Sequence, residues 1–198
     1  MSRSLFVTRL YEAAIEDREL LDGLAASIRA FANDDGAGRR WSRDHGYRGY
    51  TSYASLDDLP RRDPDFAALA RLLTGHAGRF AAELGFAGPR KLRLDSMWVN
   101  LLRGGGAHSA HIHPHSVLSG TLYIEVPPGA GSIRFEDPRL AMMMAAPVRS
   151  PDAPEELQQF ISLDPEPGQL LLWESWLRHE VRVGSGRGER LSVSFNFA

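Results

Sequence analysis

Apolar residues recur along this chain with two different periods, and the change from one to the other divides it. In the first half the spacing is helical. Leu20, Leu24, Ile28 and Phe31 mark one face, which predicts an amphipathic helix. A second helix is more strongly signalled: Asp63 is a good N-cap, Pro64 sits at the first helical position, and Phe66, Leu69, Leu73, Ala77, Phe80 and Leu84 trace one stripe before Gly85 stops it. Short strands are predicted at residues 5–8 and 47–53. The Asp-, Gly- and Arg-rich stretch 33–43 reads as a surface loop.

After Pro89 the texture changes to short β-type segments at 92–102, 116–126, 132–135, 160–163, 169–173 and 189–197, separated by Gly and Pro clusters. The last is the clearest. Leu191, Val193, Phe195 and Phe197 face one way, and Arg190, Ser192, Ser194 and Asn196 the other. Residues 137–152, with Met142, Met143 and Met144 between prolines, read as an insertion or lid. Two helices followed by about eight short strands predict an α+β fold, with the helices packed on a sandwich or jelly roll. The expected organisation is one domain over residues 1–198, in which 1–90 decorate a core formed by 91–198.

Composition narrows the chemistry. The chain of 198 residues is 43% hydrophobic, enough to bury a core. A net charge of −2 and the lack of a basic stripe argue against nucleic acid as a partner and against an acidic membrane surface. No apolar run approaches a membrane span, and the N-terminus lacks a signal-peptide pattern, so a cytoplasmic protein is expected. There are no cysteines, which removes disulfides, thiolate metal sites and a thiol nucleophile together. Any metal site must use nitrogen and oxygen.

Four of the seven histidines, His108, His111, His113 and His115, fall within eight residues. In a strand, side chains two apart share a face, so His111, His113 and His115 are expected to converge. His179 lies far downstream, after the core strand Leu170-Leu171-Leu172-Trp173. His111 and His113 with His179 give two clustered ligands and one distant one, a set that leaves coordination positions open for substrate. The usual non-haem iron set has a carboxylate where His113 stands, so these residues suit Zn(II) or Cu(II) as readily as Fe(II). Glu125, Glu136, Asp137, Glu174 and Glu180 are the acids that could supply a carboxylate. Pro114 implies an edge or bulge, and His108 and His115 are candidates for supporting roles. Arg190 and Ser192 follow on the polar face of the last strand. A guanidinium buried there requires an anion, either an internal acid or an acidic cosubstrate.

The motifs His111-x-His113-Pro114-x-Ser116-x-x-Ser119-Gly120-x-x-Tyr123, Pro167-Gly168-x-Leu170-x-Leu172-Trp173-x-Ser175-Trp176-Leu177-x-His179-x-Val181 and Glu189-Arg190-x-Ser192-x-Ser194-Phe195-Asn196 resemble a family of 2-oxoglutarate/Fe(II)-dependent oxygenases. The resemblance covers roughly residues 98–197. It implies a double-stranded β-helix with Fe(II) at its mouth and 2-oxoglutarate as cosubstrate. It further implies His111, His113 and His179 as metal ligands and Arg190 with Ser192 on the distal carboxylate, with Tyr123 and Asn100 candidates for the same cavity. The expected reaction is hydroxylation of a small molecule or side chain with O₂. A three-histidine cupin-like dioxygenase that needs no 2-oxoglutarate, and a non-catalytic metal-binding or sensing jelly roll, are the alternatives.

Overall fold

Alternation along the last strand sets the architecture, because its two faces have opposite needs. The strand carries four large apolar side chains on one face and an arginine among small polar groups on the other, so both faces must be covered. A computed structural model describes residues 2–87 and 92–198. In chain order its elements are β1 (Leu10–Ala14), α1 (Arg18–Asp34), α2 (Gly36–Asp44), β2 (Gly49–Thr51), α3 (Leu59–Arg62), α4 (Pro64–Glu83) and β3 (Leu94–Arg103). There follow β4 (His108–His111), β5 (Leu118–Glu125), β6 (Ile133–Glu136), β7 (Phe160–Leu163), β8 (Gln169–Glu174), β9 (His179–Val181) and β10 (Glu189–Phe197). The expected junction at residues 90 and 91 lies outside the described residues.

The strands form two antiparallel sheets, a large one ordered β1-β8-β5-β10-β3-β2 and a small one ordered β4-β9-β6-β7. Helices α1 and α4 cover the outer face of the large sheet. There Leu24, Ile28, Phe66 and Phe80 pack with Leu122, Leu172, Val193 and Phe195 in the main core. Each such side chain contributes about 1.5–3 kcal/mol by leaving water. A smaller apolar cluster of Tyr123, Ile133, Phe135, Leu171, Trp173 and Leu177 joins the two sheets face to face. Strand parity continues across the large sheet: Val99, Leu122, Leu172 and Val193 point to the helices, while Asn100, Tyr123, Trp173 and Ser192 point inward.

Both predicted helices form, the second capped by Asp63 as expected and the first by Asp17. Asp17 accepts from Leu20 N–H at 3.1 Å, and Asp63 accepts from Asp65 N–H at 2.8 Å. Two expectations are corrected. The first strand is Leu10–Ala14, paired with β8, and residues 5–7 are exposed instead. The second is 33–43, expected as a loop, most of which forms α2. Glycines at 36 and 38 disguised this helix, yet Gly38 is what the packing requires: a Cβ there would lie 2.3 Å from the Asp35 carboxylate and 2.8 Å from the Tyr50 ring. The 137–152 segment is an insertion between β6 and β7 in which Met142 and Met144 are exposed. Among the described residues no helix is long and apolar enough to cross a membrane.

Asp35 is the junction that fixes α2 to the sheet. Its carboxylate caps α2 through Ala37 and Gly38 N–H at 3.1 and 3.0 Å and accepts from Tyr50 Oη at 2.9 Å and Ser55 Oγ at 2.5 Å. Burial alone would raise its pKa, but the hydrogen bonds from Gly38, Ser55, Tyr50 and Ala37 together hold it below the ordinary 3.8. A depressed carboxylate stabilises the fold above its unfolded pKa and loses that contribution as pH falls through the folded value. Asp35→Ala is therefore expected to cost about 1–2 kcal/mol at pH 7. Urea unfolding should show the gap between variant and wild type narrowing as pH falls through the depressed folded value.

Candidate metal centre

Strand β4 and strand β9 lie side by side in the small sheet with His111 opposite His179. Their rings are 4.4 Å apart between centroids. Beyond His111 the strand ends, and His113 is held in an irregular segment by its own N–H, which donates to the Ser175 carbonyl at 3.0 Å. Pro114 stops the ladder as expected. The three-way alternation therefore fails at its end: His115 adopts φ +71°, is exposed, and turns away from the other imidazoles.

His111, His113 and His179 nevertheless converge. Each offers one ring nitrogen, and the three nitrogens lie within 4.8 Å of one another. His113 Nε2 and His179 Nε2 are 3.3 Å apart. A carbonyl can only accept, so the contacts of His111 Nδ1 with Ser109 O at 2.7 Å and of His179 Nδ1 with Leu177 O at 2.9 Å fix the proton on Nδ1 in both rings. That leaves each Nε2 lone pair free. Burial, then the neighbouring His111, push His113 down to about 4 despite a hydrogen bond with Asn196. Burial pushes His179 down to about 3 against the pull of the Leu177 carbonyl. Both rings are neutral at neutral pH, the state in which imidazole binds a cation.

The rings open into a cavity of about 450 Å³ whose other end holds Arg190. Arg190 is 3% exposed, donates through Nη1 to the Gly131 carbonyl at 2.8 Å, and lies 5.4 Å from the centroid of the Tyr123 ring. Its buried Nε has no partner. Gly131 reaches this position because the chain passes close to Arg182, where a Cβ would sit 1.8 Å from the carbonyl oxygen. Ser192, Tyr123 and Asn100 line the same cavity, with Asn100 donating to Ser194 Oγ at 3.0 Å.

Among the described residues no acid lines the cavity, and Arg190 makes no ion pair. The acids read as possible ligands are engaged elsewhere. Glu125 pairs with Arg29 at 2.5 Å, Glu136 with Arg178 at 3.2 Å, Asp137 with Arg139 at 2.8 Å and Glu180 with Arg134 at 2.8 Å. Glu174 sits opposite Leu118 in the large sheet, away from the cavity. The methionine segment does not line it either, and Gly104, Gly105 and Gly106 border a separate small recess behind Arg190.

The sequence left several cavity residues unread. His108 Nε2 meets Tyr47 Oη at 3.0 Å, and Tyr47 donates to Asn100 Oδ1 at 3.3 Å, forming a buried polar chain near Arg190. Burial, followed by the charge of Arg190, pushes His108 down to about 3. Trp98, Tyr53 and Trp41 form an aromatic wall. Trp98 and Asn196 share parity with Asn100 and Arg190, a usable signal; Tyr47, Tyr53 and Trp41 come from the N-terminal half and carried none.

The family model described as "Putative 2OG-Fe(II) oxygenase" matches residues 96–196, which span both ends of this cavity. The chain belongs to this family of 2OG-Fe(II) oxygenases. It is an oxidoreductase whose family uses iron and 2-oxoglutarate. The oxygenase is similar in fold to a Pseudomonas putida prolyl-4-hydroxylase, with TM-score 0.64 at 18% identity over 96% of this chain and 92% of that one. It is also similar to a Trichoplax adhaerens prolyl hydroxylase in complex with a hypoxia inducible factor peptide, with TM-score 0.62 at 13% identity over 95% and 82% of the two chains. A third is HygX from Streptomyces hygroscopicus with iron bound, with TM-score 0.58 at 14% identity over 96% and 82%. No match is found among curated proteins. The two sheets of the oxygenase are thus the expected double-stranded β-helix, with α1 and α4 outside it.

A buried guanidinium without a counter-charge is costly to the ligand-free fold. Arg190→Met is expected to stabilise the oxygenase by about 1 kcal/mol or more in the absence of anions. Thermal or urea unfolding of the two proteins in chloride-free, non-coordinating buffer measures this, and a destabilised variant would mean that Arg190 is internally compensated.

Proposed function

We propose that the oxygenase hydroxylates an organic substrate, with Fe(II) held by His111, His113 and His179 and the distal carboxylate of 2-oxoglutarate bound by Arg190 and Ser192. The observation that carries this reading is one cavity that holds three convergent imidazoles at one end and a buried arginine without a carboxylate partner at the other. Among the described residues neither group meets a carboxylate. The donor set fits a divalent cation, and the planar fork of Arg190 fits a carboxylate.

Iron and 2-oxoglutarate supply oxidising power from O₂, with 2-oxoglutarate consumed to succinate and CO₂ and one oxygen atom delivered to a C–H bond. The chain supplies position. Ser109 and Leu177 carbonyls hold the His111 and His179 rings in the ligating tautomer, and Ser175 ties the His113 backbone. Gly131 aims Arg190 into the cavity. Tyr123 and Asn100 border the cosubstrate position, where neutral polar side chains leave the charge of Arg190 unscreened. The Trp98 and Trp173 rings exclude water beside His113 and His179, which strengthens every polar contact there. A dioxygenase that needs no 2-oxoglutarate would have no use for Arg190 in this place.

The test is succinate formation by the Fe(II)-loaded protein given 2-oxoglutarate and O₂, together with 2-oxoglutarate affinity by calorimetry. Arg190→Met should weaken 2-oxoglutarate binding about 100-fold while remaining folded. His111→Ala and His179→Ala should each lower metal affinity by more than about 100-fold, whereas His113→Asp should keep the metal. Unchanged 2-oxoglutarate affinity in Arg190→Met, or metal retained in both alanine variants, would overturn the assignment.

A further inference from the structure

A further consequence rests on the function proposed above: with iron and 2-oxoglutarate in place, the cavity is left with charge to compensate. In the common two-histidine, one-carboxylate site the ligand carboxylate brings one negative charge. Here all three donors are imidazoles, each neutral when it ligates through a lone pair, and no acid lines the cavity among the described residues. Fe(II) and Arg190 carry three positive charges together, and 2-oxoglutarate brings two negative ones. One positive charge remains inside the cavity, where it is felt more strongly than in open water. The acids that could have balanced it, such as Glu136 and Glu180, are spent on Arg178 and Arg134.

One wall of the cavity, beside His113, is aromatic. Trp98 lies nearly parallel to His113, 5.8 Å between centroids and 26° between planes. Tyr53 meets Trp98 edge-on at 5.4 Å, and Trp41 meets Tyr53 at 6.1 Å. These rings touch one another, so they make a continuous wall rather than a cage around a cation. The wall runs from a ring at the metal position to Tyr53, which is 63% exposed at the rim.

We propose that the substrate is a monoanion with a flat, ring-bearing body, its charge balancing the site and its face lying on the wall of Trp98 and Tyr53. A cation is repelled by the charge already present. A neutral ring gains the wall but not the charge.

The probes are benzoate, benzamide and benzamidine, which share a shape and differ in charge. They are titrated anaerobically into protein loaded with Co(II) and saturating 2-oxoglutarate, and binding is read from the Co(II) visible spectrum and by calorimetry. Benzoate should bind about tenfold or more tightly than benzamide, and benzamidine should not bind. In His113→Asp the preference for benzoate over benzamide should fall towards one. Trp98→Ala should weaken both probes equally. The proposal is overturned if benzamide or benzamidine binds as well as benzoate, if none binds, or if benzoate displaces 2-oxoglutarate. If His113→Asp does not hold Co(II), the wild-type preference alone decides. Failure of 2-oxoglutarate itself to bind overturns the function proposed above along with this inference, whereas bound 2-oxoglutarate with no benzoate preference removes this inference alone.

Discussion

Arg190 imposes its need for a counter-charge on a strand whose other face is the centre of the apolar core. Leu191 and Val193, which follow it on the opposite face, are fully buried against the helices, so the strand cannot rotate or slip to carry the guanidinium to water. The cation is thus fixed inside by the same alternation that builds the core. Its surroundings on the inner face answer to it: small and neutral groups at Asn100, Ser192 and Ser194, a carbonyl from Gly131 and, among the described residues, no acid lining the cavity. Stability is drawn from one face of the sheet and chemistry is assembled on the other.

The parts of this arrangement that were legible in the sequence are those in which one local rule decides. The N-cap at Asp63 and the alternation of β10 each follow from spacing alone. The failures mark places where distant contacts outvote a local signal. Gly36 and Gly38 read as loop, yet the Asp35 carboxylate needs the room that Gly38 leaves, and the resulting α2 brings Trp41 and Tyr47 to the cavity. His115 shared the spacing of His111 and His113, but Pro114 broke the ladder before the period could extend to it. The partners of His108 were unreadable because Tyr47 lies 61 residues away in the sequence.

The acids show the same logic from the opposite side. Four of the five read as possible ligands end up in ion pairs with arginines, most of them partly exposed, each of which contributes little to stability. Their consequence is what they leave undone: with those carboxylates held by arginines away from the cavity, its lining keeps a purely imidazole set. The departure at His113 is therefore supported by the whole surrounding pattern of pairing rather than by one position.

His111 and His179 belong to the small sheet and His113 to the loop beside it, while Arg190 stands on the large sheet. The apolar cluster that includes Phe135 and Trp173 joins the two layers. A single molecule that engages the metal with one end and the guanidinium with the other is then a tie-rod across the sandwich. On the function proposed above, the cosubstrate would also be a structural member, tying the two layers together until it is consumed.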